Sequence, residues 1–223
     1  MVKKGKNISK SRLAIILSRL EEFNSPKVRA EQYPTDSEIA AEALWNAGLI
    51  GDISGKVIAD LGCGTGILGL GAIILGARRV FFIDSDESVI ETAKKNYNKL
   101  KSEGLIDTGK EDKAIFICQD ISKFMGEADI VIQNPPFGTK IRHSDRVFLE
   151  KAINTAGIVW SFHKSETKEF IEAFCRDNNA KVTHEFKFDF PLKAVHAFHK
   201  QAIRRIKVSC FRIIAGLNRN SEA

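Results

Sequence analysis

Between residues 56 and 177, short apolar segments alternate with segments of helical period. The apolar segments lie at 56–61, 79–84, 114–118, 129–133 and 157–162, and the helical ones at 66–75, 87–101, 145–156 and 166–177. This alternation predicts a parallel sheet with helices on both faces, because parallel strands need crossover connections. The helical period disappears at 180–191 and again at 204–214, and both segments are predicted to be strands.

The first apolar strand leads directly into a glycine-rich turn, D-L-G-C-G-T-G, at residues 60–66. Dinucleotide-binding enzymes carry similar turns after their first strand, so the turn alone is weak evidence. Its spacing differs from G-x-G-x-x-G, however, and Asp60 stands just before the glycines. A carboxylate there would repel a phosphate and attract a cation. The turn therefore favours a cationic ligand.

Acidic residues also follow the next two predicted strands. Asp84 ends the strand at 79–84, with Asp86 close behind, and Asp120 follows the strand at 114–118. A carboxylate at the end of the second strand suits the hydroxyls of a ribose. Asp84 and Asp120 could instead cap helices, and Asp86 could take that role in place of Asp84. Ligands of open α/β sheets bind beyond the carboxyl ends of the strands, which predicts one shared rim.

The run Asn134-Pro135-Pro136-Phe137 follows the apolar segment at 129–133. Each proline has a fixed φ and no N–H, and the residue before a proline is biased to extended geometry. The loop therefore presents a side-chain amide, free carbonyls and an aromatic ring in one shape, which suits a flat ring bearing an amino group. An ordinary strand-ending turn would be the better interpretation if the glycine turn were absent.

These features, in this order, resemble the class I S-adenosylmethionine-dependent methyltransferases of the amino-methylating branch. The match narrows at E-Q-Y-P-T (31–35), N-P-P-F-G-T (134–139), S-F-H-K-S (161–165) and F-H-K (198–200). Together they resemble the archaeal and eukaryotic methyltransferase-like family that forms N6-methyladenine in small-subunit ribosomal RNA. The resemblance spans about 9–215, although Trp160 and Phe162 replace a tyrosine and a leucine common in that family.

The resemblance implies a Rossmann-like class I methyltransferase fold, with a seven-stranded, mostly parallel sheet and a C-terminal antiparallel strand. It further implies one domain over 1–223, in which a helical extension at 1–50 closes the cofactor pocket over a core at 51–223. Leu13, Ile16, Leu17 and Leu20 support a helix within 8–23.

Site residues also follow from the resemblance. It assigns catalytic roles to Asn134, Pro135, Pro136 and Phe137. The Asn134 side-chain oxygen and the Pro135 carbonyl would accept the two adenine N–H groups, and Phe137 would stack on the base. The implied contacts to S-adenosyl-L-methionine are Gln32, Thr35, Asp60, Gly62, Gly64, Thr65, Ile67, Asp84, Asp120 and Ile121. Without the resemblance, Thr35 would be only the first residue of a capping box, Thr35-x-x-Glu38, that opens a helix through about Ala47.

Charge is concentrated at the two ends of the chain. The whole chain carries +6, whereas residues 1–30 and 193–223 each carry +6 and the middle carries −6. Basic ends of this kind suit a phosphate backbone, although a solvated helix and a basic tail would look the same. Beside a base-methylating site they favour RNA as the partner.

Other sequence features indicate where the protein is located in the cell and what it binds. No apolar run is long enough to span a bilayer and the start lacks a signal-peptide core, so no membrane association is expected. The four cysteines, at 63, 118, 175 and 210, are widely spaced, which favours free thiols in a cytoplasmic protein and no metal site. Eukaryotic members of the family work with a small zinc-binding activator protein, so a similar partner is expected.

Two other functions compete with N6-methylation of RNA adenine. The N-P-P-F type of loop also serves protein glutamine and guanine N2, because both acceptors are planar and carry an amino group. A non-catalytic RNA-binding scaffold is the third interpretation, and the presence of Asn134 with the glycine turn disfavours it.

Overall fold

The computed structural model describes residues 8–22, 35–107, 112–136, 144–192 and 204–216. Seven strands form one sheet: β1 (Val57–Leu61), β2 (Arg79–Asp84), β3 (Ala114–Cys118), β4 (Ile130–Gln133), β5 (Ile158–Lys164), β6 (Ala180–Leu192) and β7 (Arg204–Ala215). The helices are α1 (Lys10–Leu17), α2 (Ser37–Ile50), α3 (Ile67–Ile74), α4 (Glu87–Ser102), α5 (Ser144–Thr155) and α6 (Lys168–Asp177), with short 3₁₀ turns at Ile121–Lys123 and Ser165–Thr167.

The strand order is β3-β2-β1-β4-β5-β7-β6. β1 pairs in parallel with β2 and β4, β2 with β3, and β4 with β5. β7 runs antiparallel to both of its neighbours, β5 and β6. This arrangement confirms the predicted seven-stranded sheet with one antiparallel strand near the C-terminus.

Helices cover both faces of the sheet. Side chains from α1, α2, α3 and α4 pack with Ile58, Ile130 and Ile132 on one face. Side chains from α5, α6 and the turn at Ile121–Lys123 pack with Leu61 and Val131 on the other. The alternation of these strand residues follows from the two-residue period of a strand. None of the helices in the described part of the chain has the length and apolarity that crossing a membrane requires.

The structure confirms one prediction about the N-terminal helices and contradicts another. The helix expected within 8–23 lies at Lys10–Leu17, where the Ser9 side chain accepts a hydrogen bond from the Arg12 N–H. The capping box at Thr35 and Glu38 is wrong. Asp36 is the N-cap of α2, and its Oδ1 accepts from the backbone N–H groups of Glu38 and Ile39 at 3.0 and 3.2 Å.

Candidate active site

The carboxyl ends of β1, β2 and β4, together with the residue that follows β3, form the predicted rim. Asp60 lies near the end of β1, Asp84 ends β2, Asp120 follows β3 and Asn134 follows β4. Adjacent pairing in the order β3-β2-β1-β4 brings these four positions to one edge of the sheet. Two predicted site residues, Gln32 and Phe137, lie outside the described residues.

The glycine turn is fixed by backbone hydrogen bonds to the neighbouring strand. The N–H groups of Gly62 and Cys63 both donate to the Ile83 carbonyl, at 2.8 and 3.0 Å. Gly62 has a φ of +68°, and a Cβ at this position would lie 2.9 Å from the Phe148 ring. A side chain at this position is therefore disfavoured twice, by the backbone conformation and by the Phe148 ring of α5. Thr65 is buried and Ile67 begins α3.

Asp60 is a buried carboxyl group directly beneath this turn. It is 1% exposed, and its Oδ2 accepts a hydrogen bond from the Gly69 N–H at 2.8 Å. Burial raises its pKa to about 7, because desolvation disfavours the charged form. A cation placed nearby would restore the charged form. Burial also raises the pKa of the Cys63 thiol well above its usual value, which argues against a nucleophilic thiolate.

Asp86 takes the capping role that was open for Asp84, whereas contact of Asp84 with a ribose remains a prediction. Asp84 Oδ2 accepts from the Gly64 N–H and Oδ1 from the Asp86 N–H, each at 3.0 Å. Asp86 is the N-cap of α4, and its side chain accepts from the Ser88 N–H. Burial raises the pKa of Asp84, although these backbone donors oppose the shift. Asp84 thus joins the glycine turn to the end of β2.

Asp120 acts as a cap. Its Oδ1 accepts from the Ser122 hydroxyl and N–H at 2.6 and 2.8 Å, at the start of the turn Ile121–Lys123. The hydrogen bond from the Ser122 hydroxyl lowers the pKa of Asp120. Ile121 is buried on the α5 side of the sheet. Contact of these two residues with the cofactor remains a prediction.

The Asn134 side chain links the end of β4 to Thr35, two residues before α2. Its Nδ2 donates to Thr35 Oγ1 at 2.9 Å, so the Thr35 side chain points to the end of β4. Asn134 Oδ1 is buried and has no hydrogen-bond partner within the described part of the chain. A buried acceptor without a partner costs about 1–3 kcal/mol, so Oδ1 has hydrogen-bonding capacity for a donor beyond the described residues, such as a ligand amino group. Pro135 is buried beside it, and Pro136 is half-buried.

Three buried polar side chains next to Asn134, on the opposite face of the sheet, are linked by hydrogen bonds. Gln133 Nε2 donates to Ser161 Oγ at 2.9 Å, and Ser161 Oγ lies 2.6 Å from His163 Nε2. Burial lowers the pKa of His163 to about 3, so the ring is neutral. Gln133 Oε1 lacks a partner among the described residues. Two members of this hydrogen-bonded group, Ser161 and His163, belong to the S-F-H-K-S motif. The motif marked them in the sequence but did not indicate their role.

Sequence reasoning also missed Asn96 of α4. Its Oδ1 accepts from the Glu21 N–H at 2.8 Å, and its Nδ2 donates to the carbonyls of Glu21 and Thr65 at 3.1 and 3.0 Å. Asn96 is fully buried. One amide therefore joins the segment after α1 to the glycine turn. Nothing in the local sequence distinguishes Asn96 from Asn98, two residues further along the same helix.

A cavity of about 160 Å³ opens between α1, the residues before α2 and the glycine turn. Thr35, Thr65 and Ile67 line it, together with the acidic residues Glu21, Glu22 and Asp36. Three of the predicted cofactor contacts thus line this cavity, whereas Asp60, Asp84 and Asp120 are not among its lining residues, and the acidic lining suits a positively charged ligand. Within the described residues, no group of three or more His, Cys, Asp or Glu side chains could hold a metal ion.

Several basic residues predicted to contact RNA form ion pairs at the surface. Lys10 pairs with Glu42, Arg19 with Glu103, and Lys207 Nζ lies 2.6 Å from Asp189 Oδ1. Arg205 is exposed on β7. Residues 1–7, 193–203 and 217–223, which hold much of the terminal positive charge, lie outside the described residues.

Several known proteins are similar to this chain over nearly its whole length. Residues 19–185 match the family model named Conserved hypothetical protein 95. An uncharacterised protein of Methanocaldococcus jannaschii is 38% identical over 92% of this chain and 94% of its own length. The rRNA N(6)-adenosine-methyltransferase METTL5 of Danio rerio is 35% identical over 88% of this chain and 94% of its own length.

Solved structures of other proteins share the fold of this chain. A Pyrococcus horikoshii protein described as a proposed RNA methyltransferase has a TM-score of 0.82 and 38% identity, over 93% of this chain and 98% of that one. A S-adenosylmethionine-bound magnesium protoporphyrin IX methyltransferase of Synechocystis shares the fold, with a TM-score of 0.61 and 14% identity over 79% and 77% of the two chains. The predicted class I methyltransferase fold is therefore confirmed. The chain belongs to the Conserved hypothetical protein 95 family and to the same family as METTL5 of Danio rerio.

Proposed function

We propose that this protein is an S-adenosylmethionine-dependent RNA methyltransferase that methylates N6 of an adenine. The observation that carries the proposal is Asn134 Oδ1, a buried acceptor at the end of β4 with no partner within the described residues. This atom lies beyond the carboxyl end of β4, where open α/β sheets bind ligands, and could accept a hydrogen bond from a substrate amino group. The relationship to enzymes named rRNA N(6)-adenosine-methyltransferases supports adenine as the base.

The residues of the rim fit S-adenosylmethionine. Asp60 and the acidic cavity lining suit its positive charges, and Asp84 retains lone pairs for ribose hydroxyls, since each of its oxygens accepts one backbone N–H. Gly62 and Gly64 keep the backbone open for close approach. Asp120 and Ile121 would contact the adenine ring, and Gln32 would close the pocket. When bound, the cofactor supplies an electrophilic methyl group on a sulfonium.

An adenine amino group is a weak nucleophile, because its lone pair is delocalised into the ring. The acceptor residues would make the nitrogen more nucleophilic. Asn134 Oδ1 and the Pro135 carbonyl would each accept one N–H and draw the nitrogen toward sp³ geometry. Acceptors fixed before the reaction stabilise the positive charge that develops on nitrogen. The following Pro136 has no N–H to compete for these acceptors. Phe137 would stack on the base, and the product would lose its proton to water.

The direct test is mass spectrometry of nucleosides from RNA incubated with purified protein and S-adenosylmethionine. We expect N6-methyladenosine in RNA treated with the wild-type protein and none with Asn134→Ala. Radiolabel from the methyl donor in protein rather than RNA, or in guanosine, would overturn the assignment in favour of another planar acceptor. Absence of label from both RNA and protein would favour a non-catalytic scaffold.

Within ribosomal RNA, we propose the small-subunit RNA as the substrate. The support is the joint occurrence of E-Q-Y-P-T, N-P-P-F-G-T and S-F-H-K-S in one chain. Separate small-subunit and large-subunit transcripts, offered at equal concentration, test this choice. Methylation of the large-subunit transcript at an equal or higher rate would contradict it.

A small zinc-binding activator protein is a further proposed partner, supported by the family resemblance. Such a partner would raise the stability or the turnover of the isolated chain. Affinity purification of the tagged protein from its own cells, followed by measurement of bound zinc, tests the idea. Full activity of the isolated chain and no zinc in the purified complex would contradict it.

A further inference from the structure

The Thr35 hydroxyl connects two parts of the site that were predicted separately. Thr35 is 9% exposed, and its Oγ1 receives the hydrogen bond from Asn134 Nδ2 at 2.9 Å. The same residue lines the cavity above the glycine turn, beside Thr65 and Ile67. The α2 cap is supplied by Asp36, so the Thr35 hydroxyl is available for another role.

The chemistry of an amide makes the orientation of Asn134 decisive. One side of the group is an acceptor, Oδ1, and the other is a donor, Nδ2. Only Oδ1 can accept an N–H from an amino group. A rotation of the amide by 180° would direct Nδ2 to that amino group, so that donor would face donor. In the structure Nδ2 is engaged by Thr35, and Oδ1 is the buried atom without a described partner.

A hydroxyl can donate as well as accept, so Thr35 alone permits both orientations of the amide. It is restricted to accepting from Asn134 when its own proton is given to a third group. The Asp36 Oδ1 beside it already accepts two backbone N–H groups. Thr35 also lines the cavity, and a ligand acceptor atom placed there would take the proton.

We propose that Thr35 is a positioning residue that orients the Asn134 amide, and that an acceptor atom of the cofactor in the cavity locks this orientation. The inference rests on the proposed function, because it assigns the cavity to the cofactor and Oδ1 to the substrate amine. Occupancy of the cofactor site would thereby prepare the acceptor site for its base. Productive recognition of adenine would then depend on bound cofactor.

Thr35→Val removes the hydroxyl with little change in volume, and Thr35→Ser retains it. Thr155→Val is the matched control, because it removes a hydroxyl that bonds to the Lys151 carbonyl at the far end of α5. With a small-subunit ribosomal RNA transcript as substrate, we expect Thr35→Val to lower kcat about tenfold, as one lost hydrogen bond predicts. Thr35→Ser should recover most of that loss, and Thr155→Val should retain the wild-type kcat.

A second readout does not require turnover. The side-chain ¹⁵N–¹H₂ signals of Asn134, assigned by their loss in Asn134→Asp, report the environment of Nδ2. S-adenosylhomocysteine should shift these signals and slow their exchange with water in the wild-type protein, but not in Thr35→Val. Calorimetry with the same ligand would verify that the Val variant is saturated.

Unchanged kcat in Thr35→Val, or an unchanged response of the Asn134 signals, would overturn the proposal. Failure of the proposed function has a different signature. In that case the wild-type protein would transfer no methyl to RNA, whereas the Asn134 signals of wild type and Thr35→Val would still show whether Thr35 orients the amide.

Discussion

The cofactor side and the acceptor side of the site satisfy their polar atoms in different ways. Beside β1 and β2, Asp60 and Asp84 accept hydrogen bonds from backbone N–H groups, and the glycine turn is bonded to Ile83. At the end of β4, the side-chain oxygens of Gln133 and Asn134 are buried without partners among the described residues. The cofactor side is thus held in shape by hydrogen bonds within the protein, whereas Asn134 Oδ1 on the acceptor side leaves hydrogen-bonding capacity for a ligand.

The largest expected effect comes from removing the acceptor side alone. Asn134→Ala should lower turnover by about 10²–10³, the usual loss when one preorganised transition-state contact is deleted. Cofactor affinity should change little, since the carboxylates and the glycine turn remain. Methyl-transfer kinetics and calorimetry with S-adenosylmethionine measure the two quantities. Retention of more than about a tenth of the wild-type rate, or about 1.4 kcal/mol, would remove Asn134 from the proposed chemistry.

Asn96→Asp tests whether the cofactor side is held in shape by internal hydrogen bonds. A carboxylate at this fully buried position would face the carbonyls of Glu21 and Thr65, where an amide now donates. We expect a loss of about 2–3 kcal/mol in the free energy of unfolding and weaker cofactor binding. Urea denaturation and calorimetry measure these effects. Asn98→Asp, on the exposed side of α4, is the matched control. Equal stability of the two variants would contradict the role assigned to Asn96.

Asp84→Ala should weaken S-adenosylmethionine binding by on the order of 2 kcal/mol, because the proposed charge-assisted bonds to ribose and the observed bond to the Gly64 N–H would be lost. Asp86→Ala is its natural counterpart. Loss of the α4 cap should cost about 1 kcal/mol of stability and leave affinity nearly unchanged. Calorimetry and thermal unfolding of both variants separate the roles. If the two affinities are equal, Asp84 does not bind the cofactor.

The fold and the residues of the rim could be predicted from the sequence, whereas side-chain contacts between residues that are distant in sequence could not. Strand bounds at 79–84 and 114–118 match the structure because apolar strands end sharply at Asp84 and near Asp120. The same local reasoning failed at Thr35, because either Thr35 or Asp36 can cap a helix and a distant partner, Asn134, engages the threonine. Asn96 and Gln133 were missed for a related reason. Their partners are 75 and 28 residues away in sequence, and only the tertiary fold brings them together.

Asp60 allows the cofactor side to be probed by pH. Its pKa of about 7 in the folded protein exceeds the ordinary value of 3.8, so the folded state holds a proton that the unfolded state has lost. The contribution of Asp60 to stability therefore falls as the pH rises from about 4 through about 7.

A cationic cofactor favours the deprotonated carboxylate of Asp60. Cofactor affinity should therefore rise with pH, whereas the contribution of Asp60 to stability falls. Wild-type affinity for S-adenosylmethionine should be about tenfold higher at pH 8 than at pH 6, and S-adenosylhomocysteine, which lacks the sulfonium charge, should show a smaller change. Asp60→Asn should remove most of the dependence. Calorimetry at both pH values checks this, and an equally steep profile in Asp60→Asn would assign the titration to another group.

The smallest expected effect concerns RNA binding outside the site. Arg205 and Lys207 are exposed on β7, and Lys207 already pairs with Asp189, so its contribution to RNA binding is reduced. Arg205→Glu with Lys207→Glu should weaken RNA affinity a few-fold and lower the salt slope by about 2, while adenine remains the methylated base. Lys94→Glu with Lys95→Glu, on α4, makes the same change in net charge at another surface and should have less effect. Titrations of a fluorescent RNA at several salt concentrations compare the two variants. Equal losses in both would show that only net charge matters, because phosphate contacts at a defined surface depend on position.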